Sequence, residues 1–166
     1  MVSKIRNDKE HLVERLGVFM EKQEQLAPMA ARILSYIILT GKSGTTFEDL
    51  VRDLRASKST ISTHLNHLAD LKRILYFTKT GDRKKYYTIN EDSILQSIDA
   101  LTESWIFQKE LHLEIREYKE KTNQINSNYA SKFNLDFHDN YIEFLDEVTK
   151  SVSTLKSKIL EKNTKL

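Results

Sequence analysis

The sequence predicts a mainly α-helical protein with one small β-hairpin, and three observations lead there. Apolar residues recur at three- and four-residue spacing over most of the chain. Two short runs rich in aromatic and β-branched residues flank Thr80-Gly81-Asp82-Arg83. Only 4 Gly and 1 Pro interrupt the 166 residues, which leaves little room for loops. Hydrophobic residues make up 39% and charged residues 30%, the balance of a globular chain rather than a disordered one. There is no Cys, so disulfides and thiolate metal sites are excluded. No uncharged apolar run approaches the roughly 20 residues of a membrane span. The opening stretch MVSKIRNDKEHLVERL lacks the apolar segment of a secretory signal. A cytoplasmic protein with no membrane partner is expected.

The elements follow in order. Residues 3–25 read as a first helix, with Leu12, Leu16, Phe19 and Met20 on one apolar stripe. Pro28 suits the first turn of a second helix running to about Thr40. Its segment Ala30–Leu39 is apolar on most sides, as a central core helix is. Thr40-Gly41-Lys42-Ser43-Gly44 breaks the pattern. Thr45 and Glu48 have the spacing of a capping box for a short third helix, whose buried face is Phe47, Leu50, Val51 and Leu54. Arg55-Ala56 makes a turn, and Ser57 caps a fourth helix with Ile61, Leu65 and Leu68 inward and Leu71 continuing that face. The β-like runs are Ile74–Lys79 and Lys84–Ile89, with the hairpin tip at 80–83. Asn90-Glu91-Asp92 opens a long helical region, broken in the polar stretch 120–136. A last helix begins near Asp136 as N-cap. On it Tyr141, Leu145, Val148, Val152, Leu155 and Ile159 form a heptad seam. That seam fits a strip of the chain's own core or a subunit interface, and the long strandless region 91–166 favours the interface.

Charge is unevenly placed. Residues 1–50 carry seven basic and seven acidic residues; residues 91–166 carry ten and fourteen. Residues 51–90 carry nine basic and three acidic, net +6. Concentrated positive charge is the electrostatic footprint of a polyanion site, although a solvated basic face gives the same count.

Helix, short helix, turn, helix and hairpin in this order make a winged helix-turn-helix. Burying Ile61, Leu65 and Leu68 leaves the opposite face of the fourth helix free for the major groove of double-stranded DNA. At 100° per residue that face carries Ser59, Thr63, Asn66 and Asp70, with Ser62 and His67 on its flanks. Short hydroxyl and amide side chains suit base edges and phosphates, and Asn66 is the candidate reader of adenine. Ser57, Lys58 and Thr60 lie at the helix N-terminus, where backbone N–H groups favour phosphate. Asp70 is expected beyond the groove. In the wing, Lys79, Arg83, Lys84 and Lys85 form a basic ribbon for phosphates or a narrow minor groove. Asp82 either holds Arg83 or blunts its charge. One of Tyr86 and Tyr87 is expected in the core and the other at the surface.

Three stretches carry a resemblance: Ala31-Arg32-Ile33-Leu34, Ser57-Lys58-Ser59-Thr60-Ile61-Ser62, and Gly81-Asp82-Arg83-Lys84-Lys85-Tyr86-Tyr87. They are similar to the GbsR branch of the MarR-like regulators, over about residues 15–90 in motif and elsewhere in helical layout. The resemblance implies a homodimer whose N- and C-terminal helices interlock and whose two winged domains meet neighbouring major grooves. It also implies transcriptional repression or activation, sometimes tuned by a small ligand. Relatives often carry a Gly before the first wing strand, where this chain has Leu71-Lys72-Arg73-Ile74-Leu75.

Three regions are therefore expected: 1–27, an N-terminal helix for dimerisation through Leu12, Leu16 and Phe19; 28–90, the winged DNA-binding domain; and 91–166, long helices for dimerisation. An alternative is a winged helix that docks proteins instead of DNA, though that needs an apolar patch where the fourth helix is hydroxyl-rich. An enzyme is not expected. The five His (11, 64, 67, 112, 138) form no HExxH pair, and no Gly-rich phosphate loop is present. His64 and His67 lack a neighbouring carboxylate or Cys to complete a metal site, so neither metal nor cofactor is expected. Trp105, Phe107, Tyr118, Phe133 and Phe137 either pack as core or line an effector pocket between the long helices and the winged domain.

Overall fold

The computed structural model describes residues 2–126 and 132–163. It divides into two compact units, one ending at residue 93 and the other beginning at 94.

The first unit is built around α2 (Pro28–Thr40), whose Ala30, Ala31, Ile33, Leu34 and Ile37 are all at most 1% exposed. Each Leu or Ile so buried contributes roughly 1.5–3 kcal/mol. Packed around it are α1 (Val2–Glu24), α3 (Phe47–Asp53) and α4 (Lys58–Asp70). α1 turns Val13, Gly17 and Met20 toward α2, and a Cβ on Gly17 would lie 3.1 Å from Arg32 Cγ, so the small residue sets the close approach. The expected stripe is therefore rotated: Leu12 and Phe19 face solvent and Leu16 is half-buried.

A short 3-10 turn (Gly41–Ser43) leads to β1 (Thr45–Thr46), then β2 (Ile74–Phe77) and β3 (Tyr86–Ile89) complete an antiparallel sheet in the order β1-β3-β2. Register pairs Thr45 with Tyr87, Ile74 with Ile89, and Phe77 with Tyr86. The third strand is not foreseen by the residue pattern. It arises because the N-cap of α3 is Thr46, one residue later than the sequence suggests. Its extended backbone (φ −86°, ψ 163°) continues the strand that Thr45 begins. The capping box is Thr46 with Asp49 rather than Thr45 with Glu48: Asp49 N–H donates to Thr46 Oγ1 at 3.2 Å, and Thr46 N–H to Asp49 Oδ2 at 3.3 Å.

Leu50, Ile61, Leu65 and Leu68 close the core as their spacing requires. Leu71 does not continue that face and is half exposed, because α4 ends at Asp70 and the chain turns there. The turn is a Schellman motif: Arg73 N–H donates to Leu68 O and Lys72 N–H to Ala69 O, both at 2.9 Å. Lys72 takes the left-handed conformation (φ 54°) that the motif usually gives to glycine. Gln25 (φ 53°) and Arg55 (φ 52°) do the same just past α1 and α3.

In the second unit, α5 (Glu91–Ile125, whose first residues close the winged unit) runs antiparallel to α6 (Asp136–Asn163). Lys156–Asp99, Lys109–Asp146 and Arg116–Asp139 ion pairs and a 2.9 Å Tyr141–Gln108 hydrogen bond step along the pair. The break in 120–136 falls between these helices, with 127–131 outside the described residues. α6 opens at Asp136 itself. The cap is Leu135, whose carbonyl accepts from Asp139 N–H at 3.1 Å, so Asp136 is not the N-cap. No helix among the described residues is long and apolar enough to cross a membrane.

Candidate nucleic-acid interface

α4 presents the polar face that its periodicity requires. Ile61, Leu65 and Leu68 are buried, and Ser59, Ser62, Thr63, Asn66, His67 and Asp70 are exposed. Thirteen residues at 1.5 Å each make it about 20 Å long, a length the roughly 12 Å wide major groove accepts end-on or lengthwise. Its first turn is internally bonded. Ser57 Oγ accepts from Thr60 N–H at 3.1 Å, and meets the Ser59 and Thr60 hydroxyls at 2.9 and 2.8 Å. Thr63 donates back to Ser59 O at 3.0 Å. By contrast, Lys58, Ser62, Asn66 and His67 hold no side-chain hydrogen bond or ion pair among the described residues. The eight candidates thus separate into four that build the helix start and four whose polar atoms are free.

The wing separates its cations in the same way. Lys79 Nζ lies 3.8 Å above the Tyr86 ring and Lys85 Nζ 4.1 Å above the Tyr76 ring, an arrangement that shields apolar edges and fixes the lysine stems. Arg83 and Lys84 stand exposed at the tip with no side-chain hydrogen bond or ion pair among the described residues. The strands are shorter than the sequence suggests: Lys79, Lys84 and Lys85 lie in the connecting loop rather than on β2 and β3. Asp82 does not hold Arg83. Its carboxylate accepts from the Tyr86 hydroxyl at 2.6 Å and from Lys84 N–H at 2.9 Å. The Tyr86 hydroxyl bond, with the Lys84 backbone, keeps the Asp82 carboxyl below the usual range, and the same bond raises the Tyr86 phenol. Both wing tyrosines are half-buried. Tyr87 packs on the core, and Tyr86 stacks on Phe77 at 5.7 Å.

Three ties orient this surface, and none of them shows in the sequence pattern. At the base of the wing, Arg73 pairs with Glu24 at the end of α1 at 2.7 Å, while Asn90 side-chain N–H donates to Lys72 O at 2.8 Å. Behind the helix-turn-helix, the Tyr36 hydroxyl donates to Asp53 at 2.6 Å and so fastens α3 to α2. Burial, then the Asp53 bond, raises the Tyr36 phenol, so it remains a donor. Arg55 also escapes the sequence pattern. It is exposed in the turn just before α4, where it lines a cavity shared with α1 and α2.

The residues expected at a subunit interface fall into two groups. Leu12 and Phe19 are exposed, and with Arg15, Leu16 and Leu39 they border one open groove. On α6, Leu145 is only 1% exposed, and Tyr141, Val148, Val152 and Ile159 are half-buried. The Tyr141–Gln108 and Lys109–Asp146 pairs bracket Leu145. Much of this seam is therefore engaged within the chain's own hairpin, and of the six only Leu155 is left exposed. Of the aromatic residues considered for a pocket, Trp105 is half-buried while Phe107, Tyr118, Phe133 and Phe137 are exposed. A cavity of about 250 Å³ lies within the winged unit, lined by residues of α1, α2 and the end of α3, among them Lys9, Arg32, Tyr36 and Asp53.

Together the three-helix core, the free face of α4 and the β2–β3 wing define a winged helix-turn-helix protein. No protein-family model and no curated protein matches the chain. Solved structures similar in arrangement include one described as a transcriptional regulator: 18% identity, 93% of this chain, 99% of that one, TM-score 0.49. Another is a mutant of S. aureus MepR bound to an oligodeoxyribonucleotide: 18%, 93%, 98%, 0.43. A third is S. aureus MepR bound to ethidium bromide: 18%, 93%, 96%, 0.41. At such identities and TM-scores none of them assigns a partner to this chain.

Proposed function

We propose that the chain is a sequence-specific, double-stranded-DNA-binding transcriptional regulator that acts as a homodimer. The observation that carries this is the coincidence of unpartnered polar groups with charge. Lys58, Ser62, Asn66, His67, Arg83 and Lys84 lie on the recognition helix and wing tip, inside the segment 51–90 whose net charge is +6. Lys58 and the α4 N-terminus take phosphate, Ser62, Asn66 and His67 meet base edges, and Arg83 and Lys84 reach the flanking backbone or minor groove. Ser57, Ser59, Thr60 and Thr63 hold the helix start in shape, and Lys79 and Lys85 steady the wing.

Pairing of two chains is supported by apolar surface. The hairpin buries Leu145, yet α5 and α6 leave Phe107, Tyr118, Phe137, Phe144 and Leu155 exposed. α1 adds Leu12 and Phe19. Exposed apolar area on this scale marks an interaction surface. The cavity beside Tyr36 and Asp53 is where a small effector would act, because it borders the bond that sets α3 against α2.

Selection of bound duplexes from a randomised pool tests this reading. A two-fold symmetric motif is expected, with half-sites about 10 base pairs apart. Asn66→Ala is expected to relax one position per half-site by about 1–3 kcal/mol. Recovery of no motif at low salt would leave the winged helix as a protein-docking module and overturn the proposal.

A further inference from the structure

A polar cluster that DNA binding does not use joins α5 to α6. His138, in the first turn of α6, is 5% exposed. Its Nδ1 lies 3.0 Å from Nδ1 of His112 on α5, and its Nε2 lies 2.9 Å from Nζ of Lys119 on the same helix. An ammonium only donates, so His138 Nε2 accepts and carries no proton. The proton of the neutral ring is then on Nδ1 and is donated to His112 Nδ1. That leaves the His112 proton on Nε2. One chain of donors and acceptors, Lys119 to His138 to His112, is thereby fixed in a single sense.

The surroundings are apolar and cationic. The His112 ring is 4.5 Å from Tyr141 and 5.8 Å from Phe137. From α5, Lys119 and Arg116 face His138, and from α6 Asp139 does, but Asp139 is engaged by Arg116, which also pairs with Glu120. Burial, then the Lys119 and His112 neighbours, holds the His138 imidazolium below its ordinary range, and Asp139 opposes this. Two imidazole nitrogens 3.0 Å apart also resemble half of a metal site. The two facing cations repel a metal ion, and no third ligand joins them among the described residues.

We propose that the His112–His138–Lys119 chain is a proton-sensitive pin: neutral, it closes the α5–α6 hairpin, and a proton taken up by the His138 ring opens it. An extra proton on His138 Nε2 sets N–H against the ammonium across the 2.9 Å approach. Because His138 is held low in the closed hairpin, its contribution is complete above about pH 6.5, the ordinary histidine value. It is lost as the pH falls below that value. At pH 5.5 a freed histidine is protonated about ten to one, so opening grows by up to about tenfold from pH 7.5.

Two-bond proton–nitrogen spectra of the full chain at pH 7.5 read the tautomers directly. His138 is expected as the Nδ1–H form and His112 as the Nε2–H form. Amide hydrogen exchange at pH 7.5 and 5.5, corrected for intrinsic rates, reads the opening. Amides near 112 and 138 are expected to open up to about tenfold more at pH 5.5, while those of α2 hold. His138→Gln removes the titrating ring and is expected to abolish most of this increase. Lys119→Met, which keeps both rings and removes the ammonium, is expected to weaken it and serves if His138→Gln does not fold. An Nε2–H tautomer at His138, or the same pH-dependent increase in the variants as in the parent, would overturn the pin.

Discussion

Gly44 enters β1 with φ 71° and ψ 160°, a backbone region that is essentially glycine's alone. A Cβ there would lie 2.9 Å from Tyr86 Cβ and 3.0 and 3.1 Å from two Phe77 ring carbons. A Cβ on Gly41, at φ 70°, would meet nothing within 4 Å among the described residues. Both Gly→Ala changes therefore carry backbone strain of about 1–3 kcal/mol. Only Gly44→Ala adds overpacking against the Phe77–Tyr86 pair, about 1–3 kcal/mol more. Neither neighbour is a flexible chain end: one is a strand Cβ and the other a ring stacked on it. Gly44→Ala is thus expected to cost about 2 kcal/mol more than Gly41→Ala. In urea unfolding followed by circular dichroism, that difference lowers the midpoint by about 1 M relative to Gly41→Ala, for a slope near 2 kcal/mol per M. Phe77 and Tyr86 are the last paired residues before the wing loop, so Gly44→Ala should also weaken duplex binding more than Gly41→Ala does. Equal midpoints for the two variants would refute the reasoning.

Three further outcomes follow from the geometry. The Arg52 hydrogen bond, with that of Tyr36, lowers the Asp53 carboxyl to about 2. Its contribution is complete above the unfolded value near 4 and is lost as the pH falls through 2. The parent should exceed Asp53→Asn in unfolding free energy by on the order of 1–2 kcal/mol at pH 5, and the margin should close near pH 2. Gln25→Gly relieves a left-handed residue after α1 and should raise the melting temperature, with a gain of about 0.5–1 kcal/mol. Leu12→Glu combined with Phe19→Glu should move the sedimentation coefficient from dimer toward monomer, yet leave the winged unit folded, because both side chains face solvent within one chain.

The parts of this fold written as periodicity are legible. Ile61, Leu65 and Leu68 announce α4 and its free face, and the apolar run of α2 announces the core. Features set by single backbone positions are hidden. Helix ends at Gln25, Arg55 and Lys72 take left-handed conformations without glycine, so no breaker residue marks them. With no glycine before the first wing strand, Lys72 itself takes the left-handed conformation that closes the turn. β1 is two residues long and has no periodicity to read. Within the interface, residue type identifies the right segments but not which hydroxyls and amines are already occupied. Ser59, Lys79 and Lys85 look in sequence like Ser62, Arg83 and Lys84, and only their neighbours Ser57, Tyr86 and Tyr76 separate them.

The most direct test of the account is the salt dependence of duplex affinity, measured by fluorescence anisotropy for the parent and for a Lys58→Ala, Arg83→Ala, Lys84→Ala triple variant. The logarithm of affinity should fall linearly with the logarithm of salt concentration. The slope should be smaller in the triple variant by about 0.9 for each phosphate that is no longer neutralised, up to about 2.7 per chain. Lys109→Ala with Lys121→Ala, on the hairpin, should leave the slope unchanged. Absence of duplex affinity at low salt, or one slope shared by parent and triple variant, would contradict it.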